Sequence, residues 1–165
     1  MAKAGDVLEM PELGGTLTFL RSAAETDGAL VEVEVCGRSR GFLTQAHVHR
    51  RQTERFEVVA GVLRLAMDGE ERLLRAGDVA VVPPGKAHEQ AGIEDGTTVR
   101  ITLSPAAGSE AFFERLGYLS REGRFTRGGY PRPLAAAEMI RDFSADSAAA
   151  HPPAAVQRAL AWSDD

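Results

Sequence analysis

Between residues 15 and 104 the chain repeats one pattern, a short segment rich in β-branched residues followed by turn residues. Within 29–36, Val31, Val33 and Val35 alternate with glutamates, which is the period of a strand with one buried face. Seven or eight such strands, with turn signals roughly every 8–12 residues, predict a sandwich or barrel rather than a parallel sheet. The predicted strands cover residues 15–21, 29–36, 55–61, a hairpin over 62–78, 79–85 and 98–104, with 47–49 as a further candidate.

The hairpin within residues 62–78 carries the clearest turn signal. Asp68-Gly69 separates two apolar-rich segments. This dipeptide is strongly favoured in two-residue hairpin turns, because both central residues of such a turn need a positive φ. We therefore expect an antiparallel pair on either side of it.

From Pro105 onward the periodicity becomes helical. The predicted helices lie within residues 109–123, 134–145 and 154–162, the last after the Pro152-Pro153 break. Ser109 is the expected N-cap of the first, and the alanine-rich segment 145–150 is expected to be filler or a flexible connection. These patterns divide the chain into a β-domain at residues 1–104 and a helical C-terminal extension at 105–165.

The extension carries more apolar surface than a chain leaves in water. We therefore expect it to pack against the barrel or against a partner subunit. The residues concerned are Phe112, Phe113, Leu116, Tyr118, Leu119, Met139, Ile140, Phe143 and Trp162.

Composition narrows the classes of partner. The chain has 165 residues, 44% of them hydrophobic, and a formal net charge of −5, which suits one ordinary core. Its basic residues are scattered, so no nucleic-acid-binding face is predicted. No segment approaches the roughly 20 apolar residues of a membrane span, and no signal peptide is predicted at the N-terminus. We expect a cytoplasmic protein that binds a small molecule, with Cys36, its single cysteine, as a small apolar residue in a strand.

Residues 41–61 and 77–92 hold three of the four histidines. His47 and His49 are separated by one residue, so in a strand both side chains project to one face. Glu54 begins the next same-face series, with Phe56 and Val58. Three imidazoles and one carboxylate form a mixed N/O donor set that suits Fe, Mn, Ni, Co, Cu or Zn. The histidine pair alone is more typical of surface or hydrogen-bonded histidines than of a metal site.

The surrounding spacing resembles the two motifs of the cupin family. The first motif is matched by Gly41, His47, His49, Glu54 and Gly61, and the second by Gly77, Pro83, Gly85 and His88. One departure is Gly92, where the family often has asparagine. The resemblance implies an all-β fold, the cupin double-stranded β-helix or jelly-roll barrel, here with a helical C-terminal extension. It also implies a homodimer, and a divalent transition metal (Fe, Mn, Ni or Zn) on His47, His49, Glu54 and His88.

Residues near these ligands are candidates for substrate contact. Gln90, two residues beyond His88, should face the same interior and make either a structural hydrogen bond or a contact with substrate. The predicted apolar lining, whose alternating spacing is more often that of barrel core, consists of Phe42, Phe56, Leu63, Leu65 and Met67. Four arginines around the first motif form a solvated rim or attract an anionic substrate: Arg38, Arg40, Arg50 and Arg51. The fourth histidine, His151, is expected in an exposed loop.

Three functions stay open at this point. A cupin with this ligand set is expected to be a dioxygenase-like oxidoreductase acting on an enolisable or aromatic substrate. A non-redox polyketide cyclase, isomerase or lyase needs the same ligands, and in each enzyme Glu54 is the candidate catalytic residue for proton movement. A non-catalytic small-molecule-binding protein is the third reading, since the fold alone does not select an activity.

Overall fold

The computed structural model describes residues 1–150, and over these residues the chain forms eleven strands and two α-helices. The strands are β1 (Val7–Met10), β2 (Gly15–Arg21), β3 (Val31–Gly37), β4 (His47–His49), β5 (Thr53–Ala60), β6 (Val62–Met67), β7 (Glu70–Arg75), β8 (Val79–Val82), β9 (His88–Gly92), β10 (Thr98–Ser104) and β11 (Ser147–Ala149). The helices are α1 (Ser109–Arg121) and α2 (Pro133–Phe143), and 3-10 turns occupy Pro11–Leu13 and Gly41–Thr44.

Two antiparallel sheets face each other across the core. One has six strands in the order β1-β2-β3-β10-β5-β8, and the other has five in the order β11-β4-β9-β6-β7. Alternate residues of each strand point between the sheets, so Phe19, Val33, Phe56 and Leu65 are almost wholly buried there. The expected all-β jelly-roll barrel with a helical extension is confirmed.

The Asp68-Gly69 hairpin forms as predicted. Asp68 has φ +54° and Gly69 has φ +82°, which are the left-handed conformations that a tight hairpin turn needs. They join β6 to β7 directly, with Met67 opposite Glu70.

The alanine-rich segment 145–150 is not the connection that its composition predicted. Residues 147–149 form β11, which pairs with β4, and backbone bonds flank the pairing from Arg50 N to Asp146 O (3.0 Å) and from Ala150 N to Ala46 O (2.9 Å). Small side chains give no alternating apolar and polar pattern that would predict a strand. The strand is therefore defined only by its long-range backbone pairing. Strands β1 and β9 also lie outside the predicted set.

The first two predicted helices are present with small shifts at their ends. Helix α1 begins at Ser109, but its N-cap is Gly108, because the Ser109 hydroxyl instead accepts a 2.7 Å hydrogen bond from buried Gln52. Helix α2 begins with Pro133, a residue whose fixed φ suits the first helical turn. Residues 154–162 with Trp162, and also His151, lie outside the described residues.

The extension packs onto the barrel through one face of α1. Leu116 and Leu119 are fully buried, and the Phe113 ring meets Phe19 of β2 edge-on at 6.3 Å between centroids. Each such burial contributes roughly 1.5–3 kcal/mol of hydrophobic stabilisation. A Cβ on Gly117 would come within 2.9 Å of the Leu8 side chain, which shows how closely α1 approaches β1. Neither described helix has the length and apolar character needed to cross a membrane.

Candidate metal centre

The fold brings the four predicted ligands together. One donor atom from each of His47, His49, Glu54 and His88 lies within 4.8 Å of every other. The histidines come from neighbouring strands of the five-stranded sheet, where His47 of β4 pairs with His88 of β9, and Glu54 comes from β5 of the opposite sheet. The cluster therefore bridges the two sheets across the barrel interior.

Local sequence explains why each side chain points inward. On β5, Glu54, Phe56 and Val58 are buried, as predicted, while Arg55 and Glu57 between them pair with each other at 2.8 Å on the outer face. On β4, the spacing of two residues puts both imidazoles on the same inner face.

A tight turn delivers His88 to its neighbours. In the Pro-Pro-Gly turn, Gly85 has φ +79° and its N–H donates to the carbonyl oxygen of His49 at 2.8 Å. This bond ties the start of β9 to β4, so the second motif is held against the first. Gly92, at the other end of β9, is required by packing, since a Cβ there would lie 2.7 Å from the Gly37 carbonyl oxygen.

The Glu54 carboxylate lies at the centre of the cluster, close to all three imidazoles. Its Oε2 atom lies 2.7 Å from His88 Nε2, 3.1 Å from His49 Nε2 and 3.9 Å from His47 Nε2. Side-chain exposure rises in the same order, from 0% for His88 and 5% for Glu54 to 12% for His49 and 25% for His47. Solvent therefore reaches the cluster from the His47 side.

Two imidazoles are oriented by backbone carbonyls. His47 Nδ1 lies 2.9 Å from Gln45 O, and His88 Nδ1 lies 3.1 Å from Lys86 O. Because a carbonyl oxygen only accepts, each Nδ1 donates its N–H and leaves Nε2 facing Glu54. Metal-ligating histidines are generally held in this way.

The charges in the cluster favour a cation. Burial by itself would raise the pKa of Glu54, but the ring nitrogens of His49 and His88 outweigh burial and lower that pKa well below its usual range. Burial lowers the pKa of His47, which favours its neutral form. For His88, burial is opposed by the hydrogen bond and the charge of Glu54, and the pKa is raised overall. An ionised carboxylate thus lies among imidazoles that can share a positive ion.

The surroundings of His49 test whether these four residues fit a metal ion. Both of its ring nitrogens are buried, and neither forms a hydrogen bond of good geometry within residues 1–150, although Nε2 lies 3.1 Å from Glu54 Oε2. Leaving a buried polar atom unpaired costs on the order of 1–3 kcal/mol, and a metal bound at Nε2 would satisfy one of the two. With nitrogen and carboxylate donors and no thiolate in the cluster, the residues fit a divalent transition metal.

The predicted pocket residues occupy different surroundings. Phe56 is fully buried with its ring 6.2 Å from His88, and Met67 lies opposite His88 in the β6–β9 register. Gln90 lies opposite buried Leu65 and so faces the interior. Phe42 packs against Phe112 of the extension, with 6.3 Å between the ring centroids. The substrate-contact role of these residues stays a prediction.

Two of the four rim arginines have structural partners. The Arg40 guanidinium donates to the carbonyl oxygens of Pro11 and Glu12, and Arg51 pairs with Asp146 at 3.3 Å. Cys36 lies in β3 as expected, although it is exposed.

Strand β11 is the neighbour of the site that the sequence did not indicate. It places Ser147 directly opposite His49 and Ala149 opposite His47. A serine within an alanine-rich segment carries no motif, so the sequence contained no signal for this placement.

Comparison with known proteins agrees with this geometry. The family model for the cupin domain matches residues 38–104. Quercetin 2,3-dioxygenase of Bacillus subtilis (strain 168) is 32% identical over 75 residues, which are 46% of this chain, and the chain spans only 22% of the length of that relative.

Solved structures share the fold. KdgF from Halomonas sp. superposes with a TM-score of 0.51 at 26% identity, covering 58% of this chain and 83% of that one. An RmlC-like cupin from Shewanella frigidimarina NCIMB 400 gives 0.49 at 26% identity, covering 62% and 86%. With the motifs, the two-sheet barrel and the family match in agreement, residues 38–104 of this chain belong to a cupin domain.

Proposed function

We propose that this protein is a metal-dependent, dioxygenase-like oxidoreductase acting on a small enolisable or aromatic substrate. The observation that carries the proposal is the set of three imidazoles and one carboxylate that meet inside the barrel. The partial similarity to quercetin 2,3-dioxygenase supports oxygen chemistry in particular. The proposed ligands are His47, His49, Glu54 and His88, holding Fe, Mn, Ni or Zn.

The charge of the donor set favours one class of ligand. A divalent ion held by one carboxylate and neutral imidazoles keeps a net positive charge, and it supplies Lewis acidity and, where the metal is redox-active, electron transfer. The site therefore favours an anionic oxygen donor such as a phenolate, enolate or carboxylate. Glu54 balances part of the charge and is the group placed to accept or return a proton beside the bound oxygen donor.

The surroundings favour a compact, partly apolar substrate body. Phe56 and Leu65 are buried on the inner faces of their strands, and the partly buried Met67 lies opposite His88. His47, the most exposed ligand, marks the side from which a substrate enters. Gln90 is the polar group on this wall that would orient the substrate.

The test is to load the full-length protein separately with Fe(II), Mn(II), Ni(II) and Zn(II). Each form is titrated with catechols, flavonols and β-dicarbonyl compounds, while absorbance and oxygen consumption are followed. Metal-dependent binding with oxygen uptake is expected, and His49→Ala should abolish it. Glu57→Gln, on the outer face of the same strand as Glu54, is the matched control and should keep it.

Other outcomes would replace the proposal. Substrate rearrangement without oxygen uptake would favour a cyclase, isomerase or lyase. Absence of metal-dependent binding for every compound would favour a non-catalytic role.

We also propose a homodimer in the cytoplasm. Strand β8 ends the six-stranded sheet, and its Val79 and Val81 side chains are exposed, which supports a second copy as the partner. Light scattering of the purified protein should give twice the 17.7 kDa chain mass.

A further inference from the structure

Strand β11 places one residue of the C-terminal extension beside the metal ligands. Its antiparallel pairing with β4 sets Ser147 opposite His49 and Ala149 opposite His47. Residues directly opposite each other in such a pair project to the same face of the sheet. The Ser147 side chain therefore lies on the inner face that carries the two imidazoles.

The type of pairing brings these two side chains close. Backbone hydrogen bonds join Arg50 to Asp146 and Ala150 to Ala46, the positions adjacent to the two ends of the paired segment. Hydrogen-bonded and non-hydrogen-bonded pairs alternate along an antiparallel ladder, so His49 and Ser147 form a non-hydrogen-bonded pair. In such pairs the Cβ atoms approach to roughly 4.5–5.5 Å, within reach of a hydroxyl that turns about one bond.

His49 is the ligand that needs such a group. The Nδ1 atoms of His47 and His88 each donate to a backbone carbonyl, whereas His49 Nδ1 is buried and has no partner in the described part of the chain. A serine hydroxyl can accept a hydrogen bond from an imidazole N–H. Removing such a partner from a metal-ligating histidine typically weakens metal affinity by about 10- to 100-fold.

We propose that Ser147 is a positioning residue for the metal centre, whose hydroxyl accepts the Nδ1–H of His49 when Nε2 binds the metal. This inference rests on the metal centre proposed above. It makes the C-terminal extension a part of that centre, because the extension supplies the group that orients one ligand.

The extension is fastened on both sides of Ser147. Before it, Asp146 pairs with Arg51 at 3.3 Å, and Phe143 at the end of α2 packs edge-on against Phe112 of α1, with 5.4 Å between centroids. After it, the N–H of Ala150 donates to the carbonyl oxygen of Ala46 at 2.9 Å.

The test compares three variants of the full-length protein. Ser147→Ala removes the hydroxyl, Ser147→Thr keeps it, and Ala148→Ser adds one on the opposite face, where residue 148 pairs with Val48. Zinc affinity is measured by competition with a chromogenic chelator, and folding is checked by thermal unfolding. We expect affinity to fall about tenfold or more in Ser147→Ala, and to stay near the parent value in Ser147→Thr and Ala148→Ser.

Nuclear magnetic resonance of the zinc-loaded protein gives a second readout. In the parent and in Ser147→Thr, the His49 ring N–H should be observed as a slowly exchanging signal, because a hydrogen bond protects it. In Ser147→Ala the same signal should exchange faster, whereas the His88 ring N–H, held by Lys86 O, should be unchanged.

Three outcomes would overturn the proposal. Equal zinc affinity in the parent and Ser147→Ala would show that the hydroxyl has no role. An equal loss in all three variants would show that strand packing, not the hydroxyl, supports the site. A parent protein that binds no zinc, manganese, nickel or iron would defeat the metal centre itself together with this inference, which distinguishes that failure from the first two.

Discussion

The two halves of the candidate ligand cluster are held by different parts of the chain. Glu54 and His88 lie on strands inside the sheets: β5 runs between β10 and β8, and β9 pairs with β6 over five residues. His47 and His49 lie on the three-residue strand β4, which pairs with β9 at a single position and with β11 of the extension at three. The barrel therefore holds Glu54 and His88, which we call the barrel half of the cluster. The extension flanks His47 and His49, which we call the β4 half.

Packing of the barrel core fixes Glu54 and His88, whereas the position of β4 depends on its pairing with the extension. The Glu54–His88 contact is the shortest in the cluster and the most buried, because the core surrounds both residues. The β4 half is more exposed and depends on a ladder that closes over a long sequence separation. Short, partly exposed strands of this kind open more readily than core strands. Substitutions in the two halves should therefore have distinguishable effects.

The largest effect is expected from removing a ligand of the barrel half. His88→Ala should abolish stoichiometric metal binding, because it deletes the buried imidazole that contacts Glu54. His47→Ala, which removes the most exposed ligand, should cause a smaller loss of affinity. Elemental analysis after chelator challenge, with circular dichroism to confirm folding, measures both. Full occupancy in His88→Ala would refute the ligand assignment.

Weakening the packing of the extension should lower the stability of the protein and make the backbone of β11 open more often. Leu116→Ala should lower the free energy of unfolding by about 2–5 kcal/mol, because it opens a cavity at a fully buried position. Hydrogen exchange at residues 147–149 should rise more than at residues 99–103 of the barrel. Ile140→Ala, at an exposed position of α2, is the control and should change stability by less than about 0.5 kcal/mol. Equal exchange in both segments would remove the contrast between the halves.

Changing the Glu54 carboxylate to an amide tests separately how it contributes to metal binding and to turnover. Glu54→Gln keeps the side-chain volume but removes the charge, so metal affinity should fall, because a neutral amide is a weaker ligand for a divalent cation than a carboxylate. Some metal should remain bound while turnover is lost. Glu57→Gln, on the outer face of the same strand, should leave metal affinity unaltered. Normal turnover in Glu54→Gln would rule out a proton-transfer role for this carboxylate.

The smallest effect is expected at the rim. Arg51→Ala removes the ion pair with Asp146, but Arg51 is largely exposed, and such pairs contribute about 0–1 kcal/mol. Thermal unfolding should shift little and metal affinity should not change, because the backbone bond from Arg50 to Asp146 remains. A large loss of metal affinity would mean that the side-chain pair, rather than the ladder, holds β11 in place.

Much of this arrangement could be predicted from local patterns. The inward series Glu54, Phe56 and Val58 follows from period-two alternation, and the Asp68-Gly69 hairpin follows from the positive φ that both residues tolerate. The approach of His47, His49, Glu54 and His88 to one another was expected from motif spacing. Each of these depends on residues close in sequence or on motifs shared by a large family.

What could not be predicted depends on contacts distant in sequence. The segment 145–150 has no alternation and few large side chains, so nothing local indicates that residues 147–149 add a strand beside His47 and His49. The N-cap of α1 passes to Gly108 because Ser109 is used by Gln52, more than fifty residues earlier.

The chain's own pattern of β-branched residues, glycines and histidines therefore specifies the barrel and its four candidate ligands, because strand period and turn chemistry act over a few residues. Only the tertiary structure places Ser147 opposite His49. The physical reason is that the backbone groups of a strand form hydrogen bonds with the segment that the packed core brings alongside. Small side chains such as those of β11 have little preference of their own, so the core packing determines which segment pairs there.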